Sequence, residues 1–299
     1  GNVRISVHHP VGNQGKRHSR LLVCISMVCT FSISVPSVSD KGEFALQVYL
    51  TAALEDVREA ARHGRPLCHA AYRIGADSAL LRGNLLLQAQ GGLLALSDRD
   101  VPMVDRPDAL CGAILRECGR RGYTGVLLDF EHPPRPDLTA LVRALSKQAG
   151  RRKLYLPESY GAAAPGSCVL ISTAVSGGSL AQCLREAADR WGGYQHLALD
   201  VQRLRMDFTL PAPSGQGASL SAEEFQALWD RENPSVFFSQ DLCARYFTYT
   251  QHGAVHFVLF DDADTLSRKV RLGAGAGINT AFFLWPEIRD LAGRLFSGR

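Results

Sequence analysis

The segment Tyr123-Thr124-Gly125-Val126-Leu127-Leu128-Asp129-Phe130-Glu131 constrains the fold more than any other part of the chain. Its centre is apolar at consecutive positions, the pattern of a strand buried on both faces in a parallel sheet. It then ends in two acids. Side chains alternate along a strand, so Asp129 and Glu131 share a face about 7 Å apart, and Phe130 takes the other. The run His132-Pro133-Pro134 refuses a helix directly afterwards. Buried carboxylates are unfavourable unless paired or used, and the carboxyl ends of parallel strands are where α/β barrels keep their chemistry. The plainer reading is a solvated strand end whose acids bind a neighbouring arginine or cap the next helix.

A strand–helix alternation surrounds this segment, as a parallel sheet requires. Residues 44–50, 67–74, 92–96, 123–131, 153–157, 168–175, 196–201 and 280–285 read as strands. Residues 54–62, 107–119, 138–148 and 179–191 read as helices between them. The expected fold is α/β: a (β/α)₈ TIM barrel, one domain over residues 43–299, for which roughly 250 residues suffice. A small β-hairpin insertion is expected before the last strand, with 246–249 and 256–260 paired about a His252-Gly253 turn.

Composition narrows the functional classes. The chain of 299 residues carries a formal charge of +4, much of the positive charge lying in the first twenty residues. No basic stripe interleaves with aromatics, so no nucleic-acid partner is expected. The eight cysteines, at positions 24, 29, 68, 111, 118, 168, 183 and 243, include no C-x-x-C pair. They read as reduced core thiols of a cytoplasmic protein, and neither a metal site nor a cofactor is expected. Residues 1–42 read as an extension outside the barrel: basic at Lys16, Arg17, His18 and Arg20, then nearly free of charge from Leu21 to Val35. That pattern is signal-like, anchor-like or an artefact of where the chain begins. Export follows if residues 16–39 are a signal segment, and a membrane association only if they are an anchor. A monomer is expected.

The acid-bearing strand resembles the fourth-strand signature of family 18 glycoside hydrolases, the chitinase-like barrels, which runs Asp-Gly-hydrophobic-Asp-hydrophobic-Asp-aromatic-Glu. Gly125, Val126, Leu128, Asp129, Phe130 and Glu131 fit it, whereas Thr124 and Leu127 stand where the family usually has acids. The Asp-Phe-Glu ending is that of the spore-cortex and germination branch. The acidic stretch Asp261-Asp262-Ala263-Asp264 and the closing run Gly277-Ile278-Asn279-Thr280-Ala281-Phe282-Phe283-Leu284-Trp285 resemble the family's last strands. The resemblance spans about residues 44–290 and is strongest at strands four and eight.

The resemblance implies Glu131 as the catalytic acid and Asp129 as its partner in substrate-assisted, retaining hydrolysis of an N-acetylglucosamine-containing polysaccharide such as peptidoglycan or chitin. Glu131 would protonate the leaving oxygen while the substrate's own acetamido oxygen attacks the anomeric carbon. Asp129 would orient that group and stabilise the positive charge it develops. Its negative charge also disfavours the ionised form of Glu131. The loss of the middle acid at Leu127 removes a residue with which Asp129 would share a proton. The resemblance also implies Trp285 as an aromatic floor for the sugar, set against a core aromatic. It implies Tyr160 as a substitute for the family's Tyr-Asp phenol, which Ser172-Thr173-Ala174-Val175 lacks. Asp200, Arg205 and Tyr72 complete the expected substrate-binding set, the first two equally readable as a solvated salt-bridge network. Two alternatives stay open: a barrel of this fold that binds glycan without cleaving it, and an unrelated barrel enzyme using the carboxylates for metal or proton transfer.

Overall fold

The computed structural model describes residues 46–84, 91–101, 103–212 and 215–296, together with one antiparallel pairing of Arg4–Ile5 with Ile25–Ser26. The signal-like reading of residues 16–39 otherwise lies outside the described residues. Eight parallel strands close into a barrel in chain order: Gln47–Ala52, Leu67–Ile74, Leu93–Ser97, Gly125–Asp129, Lys153–Pro157, Cys168–Ser172, Leu197–Val201 and Thr280–Leu284. Closure comes from the pairing of the first strand with both the eighth and the second. A short strand, Leu80–Arg82, flanks the second strand antiparallel to it. The expected strand positions hold to within a few residues at each end.

The helices begin and end where their chemistry allows. Pro107 and Pro136 open Pro107–Arg121 and Pro136–Gln148 at positions where a missing N–H matters least. Gly122, at φ 69°, closes the first of these in the left-handed conformation and returns the chain to the fourth strand. Leu180–Trp191 and Ala263–Ala276 cover the sixth-to-eighth strands. Between the fifth and sixth strands the connection carries only the 3₁₀ segment Glu158–Ala163.

Alternation divides the apolar residues into two layers. Tyr49, Cys68, Leu93, Ala95, Leu127, Tyr155, Ala198 and Phe282 fill the barrel. Their neighbours in sequence, such as Leu50, Leu94, Val126, Leu128, Leu156, Leu199 and Phe283, face the helices. Inside, Tyr49 stacks on Phe282 with ring centres 5.4 Å apart, and Tyr155 meets the edge of that ring at 4.9 Å. At the base of the fourth strand Gly125 lets the fifth strand approach, because a Cβ there would lie 2.4 Å from the Lys153 carbonyl oxygen.

The expected hairpin is present as Ala244–Gln251 and Ala254–Phe260, joined through His252 and Gly253, both at positive φ. It is the centre of a larger insertion between the seventh and eighth strands. Arg205–Leu210, Ala218–Ser219 and Phe237–Ser239 extend it to a five-stranded antiparallel sheet. The helix Ala222–Glu232 lays Phe225, Leu228 and Trp229 over Phe247, Val258 and Phe260 on one face of that sheet. A buried ion pair, Lys269 to Asp261 at 2.7 Å, anchors the insertion to the barrel, with Asp261 also accepting from Thr265 and from the Leu204 N–H. Among the described residues no helix is long and apolar enough to cross a membrane.

Candidate active site

The fourth strand points Gly125, Leu127 and Asp129 into the barrel, since Leu127 lies in the interior layer and Val126 and Leu128 in the outer one. Asp129 ends the strand at the carboxyl-end mouth and is exposed there. Beyond it the chain turns onto Asp98, a fully buried carboxylate at the top of the third strand. Asp98 accepts from the Glu131 N–H at 2.8 Å and from the His132 N–H at 3.0 Å, and its oxygen lies 2.9 Å from His132 Nδ1. Glu131 is thereby held at the rim, its side chain 58% exposed, where it accepts from Arg99 Nη2 at 3.0 Å. Such an exposed pair contributes about 0–1 kcal/mol and yields readily to a ligand.

Across the mouth, the seventh strand turns Ala198 and Asp200 inward. Asp200 accepts from Gln202 Nε2 at 2.6 Å, and Gln202 Oε1 accepts from the Ser172 hydroxyl at 3.2 Å. Burial pushes the Asp200 carboxyl up to about 7; Gln202 opposes this, and Glu287 and Asp129 reinforce it. Glu287, in the segment after the eighth strand, accepts from the Arg203 N–H at 3.3 Å. Arg205 is half-buried beside this group. Its guanidinium pKa is lowered by burial and by Arg203, against the pull of Asp290, Glu287 and Glu223.

Three expected binding residues lie elsewhere, each for a definite reason. Trp285 opens a short helix and is 1% exposed in the outer layer. Its Nε1 lies 3.3 Å from Glu59 and its ring 5.1 Å from that of His63, so it is a core aromatic and floors no sugar. The inward aromatic of the eighth strand is Phe282. Tyr160 is also buried: its hydroxyl donates to the carbonyls of His132 and Pro133 at 3.0 and 3.2 Å, and its ring meets Phe130 edge-on. Burial raises that phenol to about 12. Tyr160 braces the loop that carries Glu131 and does not line the cleft. Tyr72 sits on the helix side, bonded to Glu117 at 3.0 Å and to the Tyr123 hydroxyl at 3.1 Å. A register shift between His69 and Tyr72 turns it outward.

The mouth therefore gathers Asp129, Glu131 and Asp200, with Arg205 beside Glu287 on the insertion side. Sequence reasoning missed Asp98, Arg99, Gln202 and Glu287 as members of this region. The polar run Ser97-Asp98-Arg99-Asp100 at the end of an apolar strand is the signal that marks the first two.

No family model matches the chain, and no curated protein matches it by sequence. Solved structures do share its fold. The spore cortex-lytic enzyme SleL of Bacillus cereus aligns over 84% of this chain and 74% of its own, with TM-score 0.61 and 15% identity. A chitinase from Chromobacterium violaceum aligns over 85% and 100%, with TM-score 0.59 and 16% identity. A family 18 chitinase from Cycas revoluta, solved in complex with (GlcNAc)3, aligns over 85% and 98%, with TM-score 0.57 and 15% identity. The chain has the barrel fold of family 18 chitinases and spore cortex-lytic enzymes.

Proposed function

We propose that the protein is a glycoside hydrolase-like barrel acting on an N-acetylglucosamine-containing polysaccharide, peptidoglycan or chitin, by substrate-assisted hydrolysis with retention. The observation that carries this reading is the fourth-strand end: Asp129 turned into the mouth and Glu131 on the adjoining rim, on a fold shared with chitinases and cortex-lytic enzymes. In the first step Glu131, as the acid, gives its proton to the glycosidic oxygen. The acetamido carbonyl oxygen attacks the anomeric carbon, the leaving sugar departs as an alcohol, and a cyclic oxazolinium forms. Asp129 holds the acetamido N–H and offsets the positive charge. In the second step the Glu131 carboxylate takes a proton from water, and that water opens the oxazolinium at the anomeric carbon, restoring the β configuration.

Arg99 defines the resting state. It occupies the Glu131 carboxyl group, so the arriving glycan must displace that contact. The same feature favours the second reading, a barrel that binds glycan without turnover, since Thr124 and Leu127 add no further acid on this strand. Incubation with chitin oligomers and with peptidoglycan fragments, with product anomers followed by NMR, tests the first reading. Initial β product is expected, and initial α product would overturn the mechanism. Measurable binding without any product would favour the second.

A further inference from the structure

The mouth holds acids whose surroundings differ. Glu131 is matched by Arg99, and Glu287 by the Arg203 N–H. Asp200 accepts from a neutral amide, that of Gln202. Beneath it on the same strand is Ala198, and beneath Asp129 is Leu127. Both belong to the one interior layer that also holds Tyr155 and Phe282. Asp129 and Asp200 therefore stand over a common, mainly apolar layer from opposite arcs of the barrel, in which the Cys68 thiol also feels Asp129. Neither Leu127 nor Ala198 has a polar atom with which to share a proton from below.

We propose that Asp129 and Asp200 act as a carboxyl pair across the barrel mouth, with Asp200 as the hydrogen-bond donor toward a bound sugar and Asp129 as its acceptor-only partner. The acid that Leu127 cannot supply on the fourth strand is supplied from the seventh. Several groups face Asp200. They are Asp129 from the fourth strand, the uncharged Ser172 from the sixth, Gln202 from just past the end of its own strand and Glu287 from beyond the eighth. Arg203 meets Glu287 through its N–H, and Arg205 feels the charge of Glu287. Both acids that it feels discourage a second negative charge, and burial does the same, which agrees with its raised carboxyl. A carboxylic acid kept neutral in this way donates a hydrogen bond that an ionised one cannot.

Only the sugar-binding arm of the test rests on the glycan reading. In the unliganded protein, with aspartate side chains carbon-13 labelled, one carboxyl should titrate near neutral pH by NMR. Asp200→Asn should remove that titration, and Asp129→Asn should lower its midpoint. A neutral-range titration that survives Asp200→Asn, or a midpoint indifferent to Asp129→Asn, would overturn the pair. Far-UV circular dichroism confirms that each variant is folded, and Asp129→Leu serves if the asparagine variant is not. In the second arm, the affinity for an N-acetylglucosamine trisaccharide should fall roughly tenfold from pH 5.5 to 8.5, the value of one hydrogen bond lost. Asn donates at every pH, so Asp200→Asn should bring that ratio close to one. An unchanged ratio would overturn the donor role. A protein that binds no trisaccharide at any pH would break the glycan reading, while the NMR titration would still decide the pair.

Discussion

Glu117, on the outside of the barrel, and Asp200, at its mouth, are both acids surrounded by protein, and they are treated in opposite ways. Glu117 accepts from the Tyr72 hydroxyl at 3.0 Å, from Arg121 at 3.0 Å and from Arg82 at 3.2 Å. Burial works against its charge, but those donors outweigh burial and leave its carboxyl below the usual range. Asp200 accepts from Gln202, burial prevails, and its carboxyl rises to about 7. An acid surrounded by donors is a structural part, fixed in one charge state. An acid short of donors and close to other acids stays able to change its charge, which is the property chemistry needs.

The largest effect that separates the two regions is catalytic. Glu131→Gln keeps the shape at the rim but removes the transferable proton. Hydrolysis of an N-acetylglucosamine oligomer should fall by about 10²–10⁴-fold, with oligomer affinity and melting temperature close to wild type. Steady-state kinetics and calorimetry read this directly. A variant that melts well below wild type would make Glu131 a structural acid like Glu117.

The converse substitution comes next. Glu117→Ala strands Tyr72 and two arginines in a half-buried cluster and should destabilise the fold by roughly 2–4 kcal/mol, about 5–10 °C in melting temperature. Activity per folded molecule should be retained, because the cluster lies on the helix side of the second strand. Loss of turnover without loss of stability would blur the distinction between the two regions.

Acid and alkali should then act on the two carboxyls with opposite sign. Glu117 has a lowered folded-state pKa, so its contribution to stability is present above the unfolded value of about 4.3 and is lost as pH falls through the folded one. Below that range wild type and Glu117→Gln should converge in denaturant midpoint. Asp200 has a raised folded-state pKa, so the native state binds the extra proton between about 3.9 and 7 and stability declines as pH rises through that window. At pH 8 Asp200→Asn should therefore be the more stable protein, by ~1–3 kcal/mol, and at pH 4 the difference should be small. Urea midpoints at the two pH values provide the check.

The barrel was legible because its strands are apolar on both faces and its helices carry proline starts and glycine stops, so periodicity and punctuation agree. Asp129 and Asp200 were legible for a related reason: a charge at the end of such a strand has little place to go but the mouth. The same double-sided apolarity hid Trp285. On the eighth strand Phe282 and Phe283 are equally apolar, so nothing in the pattern tells which parity faces the barrel, and the tryptophan takes the outer one. Tyr72 would share the inward face of Cys68 under strict alternation, and the register shift after His69 reverses it. Tyr160 stands at a strand tip as expected. Its hydroxyl is consumed by two loop carbonyls, a contact between segments 27 and 28 residues apart that no local pattern announces. The insertion grew beyond its hairpin because Arg205–Leu210 pairs with Ala254–Phe260 across a gap in sequence that includes a whole helix.

The smallest expected effect concerns Arg99, and it tests how far the mouth differs from the outer cluster. Arg99 and Glu131 face each other at 3.0 Å, as Arg121 and Glu117 do, so the distances alone would rank the two pairs equally. Their surroundings do not. The Arg99 and Glu131 side chains are 46% and 58% exposed, against 17% and 11% for Arg121 and Glu117. In water the attraction is screened, and holding two long side chains together offsets much of it, leaving about 0–1 kcal/mol. Arg99→Ala should therefore change the melting temperature by no more than about 2 °C. Its effect on turnover should be small and favourable or neutral, since the contact has to open before Glu131 can deliver a proton. Thermal melts and kcat/KM measured on one preparation decide the matter. If turnover instead collapses with KM raised and kcat little changed, Arg99 is a sugar-binding residue whose bond to Glu131 only fills its place until the glycan arrives.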